Sequence, residues 1–269
     1  SGSYLFLREI MRIDRYLAQF NYAESRTKAE KLVLEGNVYV DGIKVIKPSY
    51  DLDENTEHVI HVINSERFVS RGGLKLEGAL KSFNIDVKGL HMLDVGASTG
   101  GFCDCLLQSG AACVTAVDAG KGQLHSKLRK DERVTLFEEY NARFLKKEDV
   151  GVFDGAVMDV SFISQSLIIP SLPEVMRDGG FLISLIKPQF EAGIRAVGKN
   201  GIVKSASDRE LAVNRVVKAA RENKLYLRGL IKSPILGGDG NIEYLGYFIK
   251  SEDEKTALEN LNIRQICRE

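Results

Sequence analysis

The chain has 269 residues, enough for one large domain and a small one. Its 44% hydrophobic and 28% charged content is that of an ordinary globular protein. The 37 basic residues balance 37 acidic ones, so the chain is no polycation and any nucleic-acid contact must come from a local patch. No apolar run approaches the roughly 18 residues needed to cross a bilayer, and no signal peptide opens the chain. The expectation is a cytoplasmic protein without membrane contact. Ser1-Gly2-Ser3 reads as a tag remnant. Cys103, Cys105, Cys113 and Cys267 lack zinc spacing and read as buried free thiols in a reducing cytoplasm. With the four histidines scattered as well, no metal site is expected.

Residues 11–34 read as helix in two pieces. Ile13, Tyr16, Leu17 and Phe20 recur at helical spacing, and Asn21-Tyr22-Ala23 breaks the run. Ser25 is a natural N-cap for a second helix with Ala29, Leu32 and Val33 inward and Arg26, Lys28 and Lys31 outward. The segment 37–45 alternates apolar residues on each side of Asp41-Gly42, the signature of a hairpin. A strand at 59–62 completes a compact α+β unit ending near Asn64. Arg12-Ile13-Asp14-Arg15-Tyr16-Leu17, Ser25-Arg26-Thr27-Lys28-Ala29 and Gly36-Asn37-Val38-Tyr39-Val40-Asp41-Gly42 together resemble the small RNA-binding module named after ribosomal protein S-four. That resemblance implies a basic helix face tracking phosphates of structured RNA, with Arg12, Arg15, Arg26, Lys28 and Lys31 as contacts. Acidic residues slightly outnumber basic ones here, so helix periodicity has to gather the positive charge on one face.

Residues 65–70 read as a linker, and 71–269 as the second domain. Its first helix begins at Arg71-Gly72-Gly73-Leu74-Lys75. The centre of the chain is the stretch from His91 through Asp94-Val95-Gly96-Ala97-Ser98-Thr99-Gly100-Gly101-Phe102: an apolar strand ending in a carboxylate, a glycine-rich turn, and the start of a helix. Backbone N–H groups and a helix N-terminus meet a nucleotide-like ligand in this geometry. The spacing is D-x-G-x-x-x-G-G and not the G-x-G-x-x-G of a pyrophosphate site. It suits a ligand with an amine-bearing, cationic tail such as S-adenosylmethionine. A strand at 112–117 leads to Asp118, placed to hold the cofactor ribose. A strand at 134–137 precedes Asn141, placed near the adenine. The strand at 155–158 leads to Asp159, and that at 180–186 to Lys187. These runs are continuously apolar, as buried parallel strands are. A glycine- and charge-rich loop (192–207), an amphipathic helix (208–223) and two strands (225–231 and 243–249) joined through Gly237-Gly238-Asp239-Gly240 follow.

Seven strands ending in a hairpin fit the methyltransferase variant of the doubly wound, Rossmann-like sheet, whose last strand is antiparallel. Ligands bind at the carboxyl ends of the parallel strands. Asp159 and Lys187 end two neighbouring strands, and Glu243 begins the reversed one, so all three converge on one rim, where Lys75 can join them. Such a cluster can activate a ribose 2′-hydroxyl. A lysine with an ordinary pKa of about 10.4 becomes a base when burial or a second cation favours its neutral form. Lys187 is the expected base, with Lys75 tuning it or orienting the hydroxyl, and Asp159 and Glu243 placing the ammonium groups.

The motifs Ser70-Arg71-Gly72-Gly73-Leu74-Lys75-Leu76, Leu93 to Phe102, Met158-Asp159-Val160-Ser161-Phe162-Ile163, Ile186-Lys187-Pro188-Gln189-Phe190-Glu191 and Asn241-Ile242-Glu243-Tyr244 resemble, in order, the TlyA (hemolysin A-like) family of ribosomal RNA methyltransferases. Its members join an S-four module to a catalytic domain like that of the FtsJ ribose methyltransferases. The resemblance implies a Lys-Asp-Lys-Glu catalytic set at Lys75, Asp159, Lys187 and Glu243. It also implies S-adenosylmethionine as cofactor and methylation of cytidine riboses in 16S or 23S RNA or in ribosomal subunits. Cofactor contacts are expected at Asp94, Gly96, Ala97, Ser98, Thr99, Gly100, Gly101, Phe102, Asp118, Asn141 and Asp159, and a further RNA contact at Arg71. FtsJ enzymes usually have Pro where Thr99 stands. Two rival readings are a non-catalytic RNA-binding factor and a membrane-active hemolysin. A base methyltransferase is disfavoured because Asp159-Val160-Ser161-Phe162 lacks the prolines of the amide-nitrogen motif.

Overall fold

The computed structural model describes residues 10–268 apart from 21, 24, 54, 55, 57, 63–66, 199, 238, 239 and 257–260. The tag remnant, the first residues of the expected linker and the middle of the glycine turn at 237–240 lie outside the described residues. The chain forms two compact units, residues 1–67 and 68–269.

The first unit holds β1 (Ile10–Arg12), α1 (Ile13–Gln19), α2 (Arg26–Leu34), β2 (Val38–Val40), β3 (Ile43–Val45), β4 (Asp51–Asp53) and β5 (Ile60–Val62). Ser25 caps α2, its Oγ accepting from the Lys28 N–H at 3.2 Å. Strand β2 lies between β3 and β5, both antiparallel to it. Asp41 and Gly42 make the tight turn with φ of 51° and 78°. Ile13, Leu17, Ala29, Val33, Val38, Val40, Val45 and Leu52 form one core. The helix expected from residue 11 starts at Ile13. Residues 10–12 instead pair with 51–53, Met11 opposite Leu52, both buried. Alternation over three residues is too short to stand out from the helical pattern that follows.

The second unit holds α3 (Gly72–Ser82), β6 (His91–Val95), α4 (Gly101–Gln108), β7 (Cys113–Val117), α5 (Ser126–Arg129), β8 (Val134–Phe137), α6 (Lys147–Val150), β9 (Phe153–Met158), β10 (Met176–Ile186), α7 (Pro188–Glu191), α8 (Ala206–Glu222), β11 (Leu225–Lys232), β12 (Tyr244–Lys250) and α9 (Ile263–Arg268). The sheet order is β11-β12-β10-β9-β6-β7-β8. Strands β6 to β10 are parallel, and β12 runs antiparallel between β10 and β11. This is the expected methyltransferase-type sheet. The chain steps from β6 to β7 and β8 on one side, then to β9 and β10 on the other. The switch point therefore falls beside β6, where doubly wound sheets open a crevice. Apolar clusters bury both faces, one around Leu93, Met158, Leu182 and Phe248, the other around Leu76, Met92, Leu106 and Leu185. That explains why the central strands read as unbroken apolar runs. Cys103, Cys105 and Cys267 are buried free thiols, and Cys113 is half-buried.

Candidate active site

The turn after β6 has a shape that only small residues permit. Gly96 (φ 82°) and Gly100 (φ 96°) are left-handed. A Cβ on Gly96 would stand 2.5 Å from the Asp159 carbonyl oxygen, and one on Gly101 2.2 Å from Ser70 Oγ and 2.9 Å from the Gly73 nitrogen. The turn is thus wedged between the end of β9 and the start of α3. Asp118, just past β7, props it: its two oxygens accept from the Ser98 and Gly120 N–H groups, each at 2.7 Å.

Two adjoining cavities open on the turn. One of about 340 Å³ is lined by Asp118, Gln123, Tyr140, Asn141, Ser161 and Phe162 among others. The other, about 230 Å³, is lined by Ser70, Arg71, Lys75, Ala97, Thr99, Gly101 and Phe102 among others. Gly96, Ser98 and Asp159 border both. Of the expected catalytic and cofactor residues, Asp94, Gly100, Lys187 and Glu243 border neither. Asp94 is fully buried behind the turn without a side-chain partner. Burial, then repulsion from Asp159 and Asp118, pushes its carboxyl up to about 8 against the pull of the Cys103 N–H.

Four charged residues meet at the carboxyl rim as two pairs. Lys75 Nζ lies 2.5 Å from Glu243 Oε2, the side chains 10% and 3% exposed. Lys187 Nζ lies 2.6 Å from Asp159 Oδ1 and donates to Ser161 Oγ at 2.8 Å. Each lysine is thus matched by its own carboxylate. The Glu243 carboxylate also needs bare backbone beside it: a Cβ on Gly237 would fall 2.5 Å from its Oε1. Gln189 Nε2 approaches the same Oε1 at 3.5 Å. On the wall of the smaller cavity, one guanidinium nitrogen of Arg71 is buried without a partner.

In the first unit, Arg12 and Arg26 share one carboxylate. Asp14 is fully buried and takes Arg12 Nη2 at 2.8 Å and Arg26 Nη2 at 3.0 Å, while the two guanidiniums stay 45% and 55% exposed. Burial works to raise the Asp14 carboxyl, but the hydrogen bonds from Arg12, Arg26 and the Arg15 N–H outweigh it and hold it below the usual range. Arg15 and Lys28 are exposed on the same unit, and Lys31 leans toward Glu35 at 3.8 Å.

Sequence reasoning assigned no role to Ser161, Phe162, Gln189 or Glu191. All four lie in the two motifs that supplied Asp159 and Lys187, which was the available signal. Phe162 is 92% exposed, with φ of 64° and its ring 5.2 Å from that of Phe190. A large aromatic held out in a left-handed conformation on a cavity wall is a costly arrangement. Among the described residues no group of His, Cys, Asp or Glu could hold a metal ion, and no helix is long and apolar enough to cross a membrane.

Sheet order, glycine turn and paired lysines define a methyltransferase-type catalytic unit that follows a small α+β unit. The comparisons place it further: residues 68–250 match the FtsJ-like methyltransferase family and residues 11–58 the S4 domain, and the chain belongs to the FtsJ-like methyltransferase family. The 16S/23S rRNA (cytidine-2′-O)-methyltransferase TlyA of Mycobacterium tuberculosis is 40% identical over 93% of this chain and 94% of its own. Hemolysin A of Brachyspira hyodysenteriae is 41% identical over 89% of this chain and the whole of its own. A solved structure from Streptococcus thermophilus, of a chain named as a hemolysin, superposes with a TM-score of 0.75 at 40% identity. It covers 97% of this chain and 95% of that one.

Proposed function

We propose that this chain transfers a methyl group from S-adenosylmethionine to a ribose 2′-hydroxyl of ribosomal RNA, with cytidine as the nucleoside. The observation that carries the reading is the pairing of Lys187 with Asp159 and Ser161 and of Glu243 with Lys75, where Lys75, Asp159 and Ser161 line two cavities that share the glycine turn. The site suits the cofactor. The larger cavity, with Asp118 and Asn141 on its wall, has the acceptors a nucleoside needs. The smaller offers Arg71, with a buried and unmatched nitrogen, beside the turn. The bound cofactor supplies an electrophilic methyl group on a sulfonium.

The remaining work falls to side chains. Lys187 is the base that takes the 2′-hydroxyl proton on Nζ, with Ser161 Oγ and Asp159 fixing its direction. The buried Lys75–Glu243 pair orients the hydroxyl and shields it from water. Phe162 presents a face on which an unstacked base can lie. In the first unit the half-exposed guanidiniums of Arg12 and Arg26, held open by Asp14, take backbone phosphates. The substrate would be ribosomal RNA or a ribosomal subunit in the cytoplasm.

The test is methyl transfer from radiolabelled cofactor to subunits from a strain lacking this protein, with nucleoside mass spectrometry, for wild type and Lys187→Ala. Label in a 2′-O-methylnucleoside that disappears in the variant supports the reading. Label on a base sinks the lysine chemistry. Tight cofactor and RNA binding with no transfer to subunits or naked RNA would favour a binding factor.

A further inference from the structure

A buried hydrogen-bond bracket joins the loop after β9 to the segment that carries Lys187. Glu191 ends α7 four residues after Lys187 and is 5% exposed. Its Oε2 accepts from Ser164 Oγ at 2.6 Å, and its Oε1 from the Gln165 N–H at 2.8 Å. Gln165, 1% exposed, continues the bracket: its Nε2 donates to the Leu185 carbonyl and its Oε1 accepts from Ser184 Oγ, each at 2.6 Å. Both partners lie on β10 just before Lys187. Arg215 Nη1 donates to the Glu191 carbonyl at 2.6 Å and ties the turn to α8.

The loop between these anchors carries Asp159 and Ser161, the two groups bound to Lys187, and Phe162. It starts from one backbone bond, Asp159 N–H to the Val95 carbonyl at 3.0 Å, and passes through the left-handed Phe162 before reaching Ser164. A loop bent this way keeps its shape only if its far end is fixed. Two charge-assisted bonds to a buried carboxylate are among the stronger ways to fix it.

We propose that Glu191 is a positioning residue: by clamping Ser164 and Gln165 it sets the 159–165 loop, and through Ser161 and Asp159 the direction in which the Lys187 amine meets the reacting hydroxyl. The proposal rests on the reading of Lys187 as the base. Burial pushes the Glu191 carboxyl up, and the bonds from Gln165 and Ser164 pull it back. The site is therefore specialised for those two donors.

The test uses the full chain with Glu191→Ala, Glu191→Gln and Ser164→Ala, each alone, and Glu191→Ala combined with Ser161→Ala. Single-turnover transfer, S-adenosylhomocysteine affinity and amide exchange of residues 160–165 are measured. Glu191→Ala should slow transfer about 10- to 100-fold, as a misaimed group does. It should leave S-adenosylhomocysteine affinity within about twofold and raise exchange at 160–165. Glu191→Gln should restore most of the rate, because a carboxamide can accept from the Gln165 N–H and donate to Ser164 Oγ. In the Ser161→Ala background the Glu191→Ala loss should shrink, since both act through one path. Full additivity would overturn the proposal. So would an unchanged rate, or a rate that falls only in step with melting temperature and cofactor affinity. If Glu191→Ala does not fold, Ser164→Ala carries the same expectations at smaller size. A wild-type protein that moves no methyl group would break the reading of the reaction, while exchange at 160–165 in the variants would still decide the bracket.

Discussion

The two units treat a buried carboxylate in opposite ways. Asp14 in the small unit is fully buried, yet both of its arginines reach solvent, 45% and 55% exposed. Glu243 in the catalytic unit is equally hidden, and so is its lysine, at 10%. A guanidinium has donors on several edges, so Asp14 can hold one edge and leave the rest for a phosphate. The Lys75 ammonium, sealed against Glu243, is left to act on what enters the adjoining cavity. One arrangement displays charge and the other confines it. Asp94 is a third case, buried with no cation at all.

Lys187→Ala should break the confined side most severely, lowering the transfer rate on the order of 10²–10⁴-fold in single-turnover assays. It should leave RNA affinity close to wild type. Lys75→Ala should cost about 3–5 kcal/mol of stability in denaturant unfolding, because Glu243 would be left as an unpaired buried charge. Lys75→Met with Glu243→Leu should recover most of that stability and none of the activity; a double variant as unstable as the single one would contradict this account. Asp14→Ala should cost about 1–3 kcal/mol in the small unit and loosen both arginines. RNA binding should then weaken although no basic residue has been removed.

The strands flanking the glycine turn and the rim position of Asp159, Lys187 and Glu243 were legible because periodicity and topology act over long runs. Strand β1 was not, since three residues carry too little pattern. Asp14 looked like one more acid on a helix; only its burial between two arginines 14 residues apart in sequence shows what it does. The pairing of the lysines was equally hidden. Sequence placed four charges at one rim, but which ammonium meets which carboxylate depends on side-chain packing, including the bare Gly237 beside Glu243. Ser161 and Glu191 escaped notice for the same reason: each acts through a neighbour.

Asp94 yields a smaller effect with a definite sign. Its folded carboxyl, near 8, binds a proton that the unfolded chain has released above about pH 4. Its contribution to stability is therefore complete at low pH and is lost as pH rises through 8, at a slope of at most about 1.4 kcal/mol per pH unit. Asp94→Asn should flatten the fall in melting temperature between pH 6 and 9, and an unchanged slope would rule this origin out. The smallest expected change is Arg26→Ala, which should weaken RNA binding by less than about tenfold and reduce its salt-dependence slope by about 1.

Strand β12 enters the sheet between β10 and β11, and with it comes Glu243, 168 residues from the lysine it meets. Contacts of such separation form late, after the costs of closing the intervening loops have been met. During synthesis, β6 to β10 can emerge and pair while Lys75 still lacks its carboxylate. Only the last stretch of chain closes both sheet and rim. The partly made protein thus carries Lys75 without its counter-charge, and the rim is complete only when the final strand slots home.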